Sequence, residues 1–183
     1  MKRLFTGRVG RRLLGLMVCA AAPIGAAATL ATSLSHPLLL WNQTPSEPEG
    51  LYVRRSATPG TGAIIAFRAP AAAFPYADHR MGYLHHVPIL KAVAAGENDR
   101  VCTVGGVLAI NGRPRGRVLR RDSHGDRLPA WRACRVLTRG EVFVFSDRVP
   151  NSFDSRYYGP IDQASILGVF EPLVVTADRG GPA

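Results

Sequence analysis

Lys91 is the only lysine after residue 35, and it stands in an apolar run, Val87-Pro-Ile-Leu-Lys91-Ala-Val-Ala-Ala95. A lone ammonium in such surroundings is poorly solvated, so burial pushes its pKa down toward that of an amine able to act as a base. Upstream, Asn42-Gln-Thr44-Pro-Ser46-Glu-Pro48-Glu-Gly50 presents one serine in a turn stiffened by prolines on both sides. Downstream, Asn151-Ser152-Phe-Asp154-Ser155-Arg156-Tyr-Tyr-Gly159-Pro160 packs hydroxyls, a carboxylate and a guanidinium into ten residues. A serine, a desolvated lysine and a polar clamp are the parts from which Ser/Lys nucleophilic chemistry is built.

Each part has an assigned task. Ser46 is the candidate nucleophile and Lys91 the candidate general base. The Ser46 N–H and the Thr44 hydroxyl are candidate donors to an oxyanion. Ser152 can orient the lysine amine, while Asp154 and Arg156 can pair and brace the turn. Each also has an ordinary explanation. Lys91 can snorkel from a strand into water, the Ser46 segment can be a Pro-rich linker, and residues 151–160 can be a solvated loop.

The elements that must position these groups look mainly β. Short runs rich in β-branched and aromatic residues are separated by turn residues: Leu51–Arg54, Ala63–Phe67, Ile89–Ala95, Arg100–Val104, Val107–Ile110, Arg117–Leu119, Glu141–Phe145, Ile166–Phe170 and Leu173–Val175. Asn111-Gly112 is a strong hairpin signal. In the strand holding Lys91, alternation puts Ile89, Lys91 and Val93 on one face. Residues 70–84 are expected to form a short helix or loop, and His36–Gly50 a Pro-rich passage into the domain. Past the first segment no helix-periodic stretch exceeds two or three turns.

Residues 13–35 carry no charged side chain and follow a basic segment, residues 1–12, holding Lys2, Arg3, Arg8, Arg11 and Arg12. A run of that length can cross a bilayer as a helix. The basic flank predicts a cytoplasmic N-terminus and an exported domain over residues 36–183. Ala26–Ala28 offers an A-x-A-like cleavage site, and the length of the run favours a retained anchor. Net charge is +10, of which the basic flank supplies half. The remaining arginine excess is scattered and not interleaved with aromatics, so nucleic acid is not an expected partner. Setting aside Cys19 in the apolar run, export leaves Cys102 and Cys134 as an even pair, expected to form a disulfide. No C-x-x-C spacing points to metal.

Taken together, T-P-S-E-P-E-G-L-Y around Ser46, L-K-A-V-A around Lys91 and S-F-D-S-R-Y-Y-G-P around Arg156 resemble the signal peptidase I family, and within it the TraF-type conjugative-transfer branch that processes pilin precursors. Order and spacing agree, with 45 residues from Ser46 to Lys91 and 63 from Lys91 to Asp154. The resemblance implies a mainly β, signal-peptidase-like domain after one N-terminal hydrophobic helix, tethered at the periplasmic face of the bacterial inner membrane. It implies Ser46 as nucleophile, Lys91 as base, Ser152 orienting the lysine, Asp154 and Arg156 supporting the site, and Thr44 assisting the oxyanion hole. It implies no metal or organic cofactor, and a precursor protein, the pilin, as substrate. The chain departs from the family at Ala92, where Arg often follows the lysine, at Gly96–Asp99, and at Ser146-Asp147-Arg148. Its single hydrophobic segment favours the transfer branch over a housekeeping leader peptidase. Three other readings stand beside this one: a general signal peptidase, a non-catalytic periplasmic assembly factor for a pilus or secretion apparatus, and a Ser/His/Asp hydrolase using His85 or His86.

Overall fold

A computed structural model describes residues 36–176; the expected signal or anchor segment at 13–35 and its basic flank lie outside them. Among the described residues no helix is long and apolar enough to cross a membrane. Among the described residues eleven strands make two antiparallel sheets. The larger is ordered β1 (Leu39–Asn42), β2 (Gly50–Arg55), β11 (Ile166–Val175), β3 (Ile64–Phe67), β4 (Ile89–Ala95), β9 (Glu141–Val144) and β10 (Ile161–Asp162). The smaller is ordered β7 (Arg113–Arg117), β6 (Val107–Ile110), β5 (Arg100–Cys102) and β8 (Cys134–Val136). The helical elements are one-turn pieces, including α1 (Tyr76–Arg80) and α2 (Ser155–Tyr158).

Strand alternation builds the cores. In β9 and just beyond, Val142 and Val144 enter a cluster with Ile65, Phe67, Ile89, Val93 and Tyr158, while Phe143 and Phe145 enter a second one with Val101, Leu108 and Leu137. A strand whose successive side chains point oppositely can serve two cores at once. β3 does the same, sending Ile65 and Phe67 to the first cluster and Ala66 to a third with Tyr52, Leu90 and Phe170.

Several elements differ from the expectation. β1 forms within the stretch taken as a linker, pairing Leu39 with Val53 and Asn42 with Gly50. β7 starts at Arg113, not Arg117, because Asn111 (φ 50°) and Gly112 (φ 78°) close a two-residue turn and pairing resumes at once. β8 was not anticipated. The two runs expected at 166–170 and 173–175 are one strand, with its register shifted between Pro172 and Val174.

Cys102 and Cys134 face each other across β5 and β8 and are bonded. They are 32 residues apart, a loop for which chain entropy gives about 3–4 kcal/mol of stabilisation. Alkylation without reductant, followed by mass spectrometry, should label neither thiol in exported protein. Reduction should lower the denaturation midpoint correspondingly, and two labelled thiols would refute the pairing.

Candidate active site

The Ser46 turn joins β1 to β2 and is organised by one carboxamide. Asn42 Nδ2 donates to the carbonyls of Thr44 (2.9 Å), Glu47 (3.0 Å) and Pro48 (3.0 Å). Its Oδ1 accepts from Thr44 N (3.1 Å) and Thr44 Oγ1 (2.9 Å). A buried side chain that satisfies several main-chain groups fixes a loop as a strand ladder would. Tyr52 adds a hydroxyl bond to the Pro48 carbonyl at 2.7 Å. Gly50 is required at the exit: it sits at φ +143°, and a Cβ there would lie 2.2 Å from the Val174 carbonyl oxygen.

Ser46 is 4% exposed and its Oγ lies 3.3 Å from Thr44 Oγ1. A hydroxyl has one proton. While Thr44 donates to Asn42 Oδ1, it is an acceptor for the Ser46 hydroxyl. Thr44 itself is exposed, so it is free to turn its proton elsewhere.

Lys91 lies in β4 opposite Ile65 and is 5% exposed. Its neighbours two residues either way, Ile89 and Val93, belong with Ile65 to the largest core cluster, as alternation requires. Burial lowers its pKa to about 8; the carboxylates of Asp154 and Glu47 oppose that fall and the Arg156 guanidinium adds to it.

The third segment is a buried clamp. Arg156 Nε donates to Asp154 Oδ1 (2.8 Å) and Arg156 Nη2 to Asp154 Oδ2 (2.9 Å), with Asp154 0% and Arg156 2% exposed. Two further guanidinium protons go to the carbonyls of Ser152 (2.8 Å) and Arg117 (2.7 Å). The Phe145 ring lies 4.8 Å from the guanidinium carbon. Asp154 also caps α2 through Arg156 N. Ser152 Oγ is buried and makes no hydrogen bond among the described residues.

Four bonds gather the segments, and none is signalled by the local sequence. Glu47 Oε1 accepts from Ala92 N at 2.8 Å. Ser46 and Lys91 are therefore each one residue away from the two ends of a single hydrogen bond. Ser146 Oγ donates to the Ser46 carbonyl, and Ser146 N to Asp154 Oδ2 at 3.4 Å. Ser155 Oγ accepts from Val144 N at 3.1 Å, tying the clamp to β9. Asn42, Glu47, Ser146 and Ser155 thus do structural work at the site. His85, the alternative base, pairs with Asp78 at 2.6 Å and stacks on Phe74, within its own segment. Among the described residues no group of His, Cys, Asp and Glu could hold a metal ion.

A β domain that gathers a constrained serine, a buried lysine and an Asp–Arg clamp from three distant segments has the make-up of a signal-peptidase-like protein. The chain belongs to that family: the family model described as "Signal peptidase, peptidase S26" matches residues 12–174. A "Plasmid transfer protein TraF" of Escherichia coli is 31% identical over 144 residues, covering 73% of this chain and 81% of that one. A "Conjugal transfer protein TraF" of Agrobacterium fabrum is 32% identical over 143 residues, covering 72% and 80%. A crystal structure of a signal peptidase I from Enterococcus faecalis aligns with 62% of this chain and 97% of that chain, at 24% identity and a TM-score of 0.38.

Proposed function

We propose that the chain is a serine endopeptidase of the Ser/Lys type that processes an exported precursor, the conjugative pilin, during plasmid transfer. The observation that carries this is the Glu47–Ala92 bond, which ties the Ser46 turn to the Lys91 strand in a protein of the signal peptidase family. A lysine with a pKa near 8 is partly neutral at working pH, as a base must be.

In the proposed mechanism Ser46 Oγ attacks the scissile carbonyl and its proton passes to Lys91 Nζ. The developing oxyanion faces the Ser46 N–H and the Thr44 hydroxyl. Lys91 then gives the proton to the departing amine, leaving an acyl-enzyme on Ser46. Water resolves it by hydrolysis; the substrate's own amine would resolve it by cyclisation. Ser152 Oγ, buried and unpaired, is available to orient the lysine. Asp154 and Arg156 hold the segment that carries it.

The plasmid-transfer role is supported by the names of the relatives. Tethering at the periplasmic face of the inner membrane is supported by residues 13–35 and by Leu38, Leu39 and Trp41, exposed apolar side chains that follow that segment in sequence. The test is an acid-quenched reaction of the full-length chain with a pilin precursor. The peptide containing Ser46 should carry the mass of the precursor's N-terminal product as an ester. Cleavage with the adduct on another residue would overturn the assignment, and absence of cleavage would favour the assembly-factor reading.

A further inference from the structure

Glu47 is 5% exposed, and nothing in the chemistry above requires its charge. A glutamine would accept the Ala92 N–H equally well without the expense of a buried carboxylate. Burial raises its pKa, opposed by the Ala92 N–H, then Lys91, then Arg148, with Asp147 adding slightly to the rise. A buried anion that accepts, among the described residues, one hydrogen bond, from the neighbouring strand, is best explained by a cation it must meet. The cation next to that bond is Lys91.

Resting on the peptidase reading, we propose that Glu47 is a positioning residue: it straps the Ser46 turn to β4 through Ala92 N and stabilises the ammonium that Lys91 becomes on taking the Ser46 proton. When Ser46 attacks, its O–H bond breaks, an N–H bond forms on Lys91, the Oγ–C bond forms and the carbonyl π pair moves to oxygen. Two neutral groups become an ammonium and an oxyanion. Carboxylates already fixed within electrostatic reach of Lys91 lower the cost of the ammonium without reorganising. The charged groups facing Lys91 are Glu47 from the β1–β2 turn, and Asp154 and Arg156 from the clamp. Asp154 is already committed to Arg156 by two bonds. Glu47 is the carboxylate left for Lys91.

The strap and the charge separate by substitution. Glu47→Gln keeps an acceptor for Ala92 N and removes the charge; Glu47→Ala removes both. In Glu47→Gln the Lys91 titration should move to lower pH by about half a unit or more. The pH-independent ceiling of kcat should fall several-fold, because a weaker base accepts the proton less readily. In Glu47→Ala kcat should fall by about 10^2-fold, the loss expected when reacting groups are misplaced, with circular dichroism reporting an intact fold.

The chain contains only two lysines, Lys2 and Lys91, so 13C-lysine labelling of the full-length protein gives a direct titration of Lys91 by NMR. That titration is run on Ser46→Ala with and without Glu47→Gln, where no turnover is needed. The kcat/KM profile is run on Glu47→Gln with Ser46 intact. Parallel downward shifts in both would support the proposal. An unmoved Lys91 titration, or wild-type kcat in folded Glu47→Ala, would overturn it. Failure of the wild-type chain to cleave any precursor would instead overturn the peptidase reading, and is seen independently of the titration.

Discussion

Ser46→Ala and Lys91→Arg are each expected to lower kcat/KM for precursor cleavage by about 10^4-fold or more, and the double variant to be no worse than either single one. Ser46 without a base is a weak nucleophile, and a base without Ser46 has nothing to activate, so the losses do not add. Arginine is the informative replacement because it keeps the charge and length but does not lose its proton near neutral pH. In the wild-type protein kcat/KM should rise with pH through a midpoint near 8, where burial has brought the Lys91 pKa.

The same shift fixes the sign of a stability effect. A lysine whose folded pKa lies below its unfolded value leaves the unfolded state holding more protons between the two. Stability therefore rises with pH from about 8 to about 10.5. Below pH 8 the penalty is present in full, on the order of 3 kcal/mol. Lys91→Met should accordingly be inactive yet at least as resistant to urea as wild type at pH 7, with the advantage vanishing above pH 10. Substantial activity in Lys91→Arg, or a flat pH–rate profile, would remove Lys91 from the role of base.

Lys91 was legible in the sequence because its signal is local: one lysine in an apolar strand, whose alternation with Ile89 and Val93 is what the fold uses. The Asn111-Gly112 turn was legible for the same reason. What escaped depends on distant contacts. Ser146 acquires its task from Ser46, 100 residues away, and Glu47 from Ala92, 45 away; nothing beside them in the chain announces either bond. β1 escaped because Pro37 and Pro45 frame it like a linker, and what makes it a strand is its ladder to β2. β7 escaped because Arg-Pro-Arg-Gly-Arg has no apolar face to betray it; as the edge of its sheet it needs none, and Pro and Arg are what an edge tolerates. β11 reads as two runs in the sequence because proline breaks a ladder, yet the chain absorbs Pro172 with a shift of register.

Arg156→Met is expected to destabilise the domain by about 3–5 kcal/mol, the usual consequence of removing one partner from a buried ion pair. The cause is less the loss of attraction than what remains. Asp154 would keep its carboxylate at 0% exposure, losing both guanidinium donors, and the carbonyls of Ser152 and Arg117 would lose theirs. Stranded polar groups in a low-dielectric interior carry their full desolvation cost. Against a total stability of roughly 5–15 kcal/mol, that is enough to shift the urea midpoint strongly. Asp154→Leu alone should be comparably harmful, since it strands the guanidinium and uncaps α2. Combining Asp154→Leu with Arg156→Met removes both charges and should recover part of the loss. Stability recovered in the double variant need not restore cleavage, because Ser146 would lose the Asp154 oxygen that its N–H meets while its hydroxyl holds the Ser46 carbonyl. If either single variant unfolds within about 1 kcal/mol of wild type, the clamp is not what fixes this end of the site.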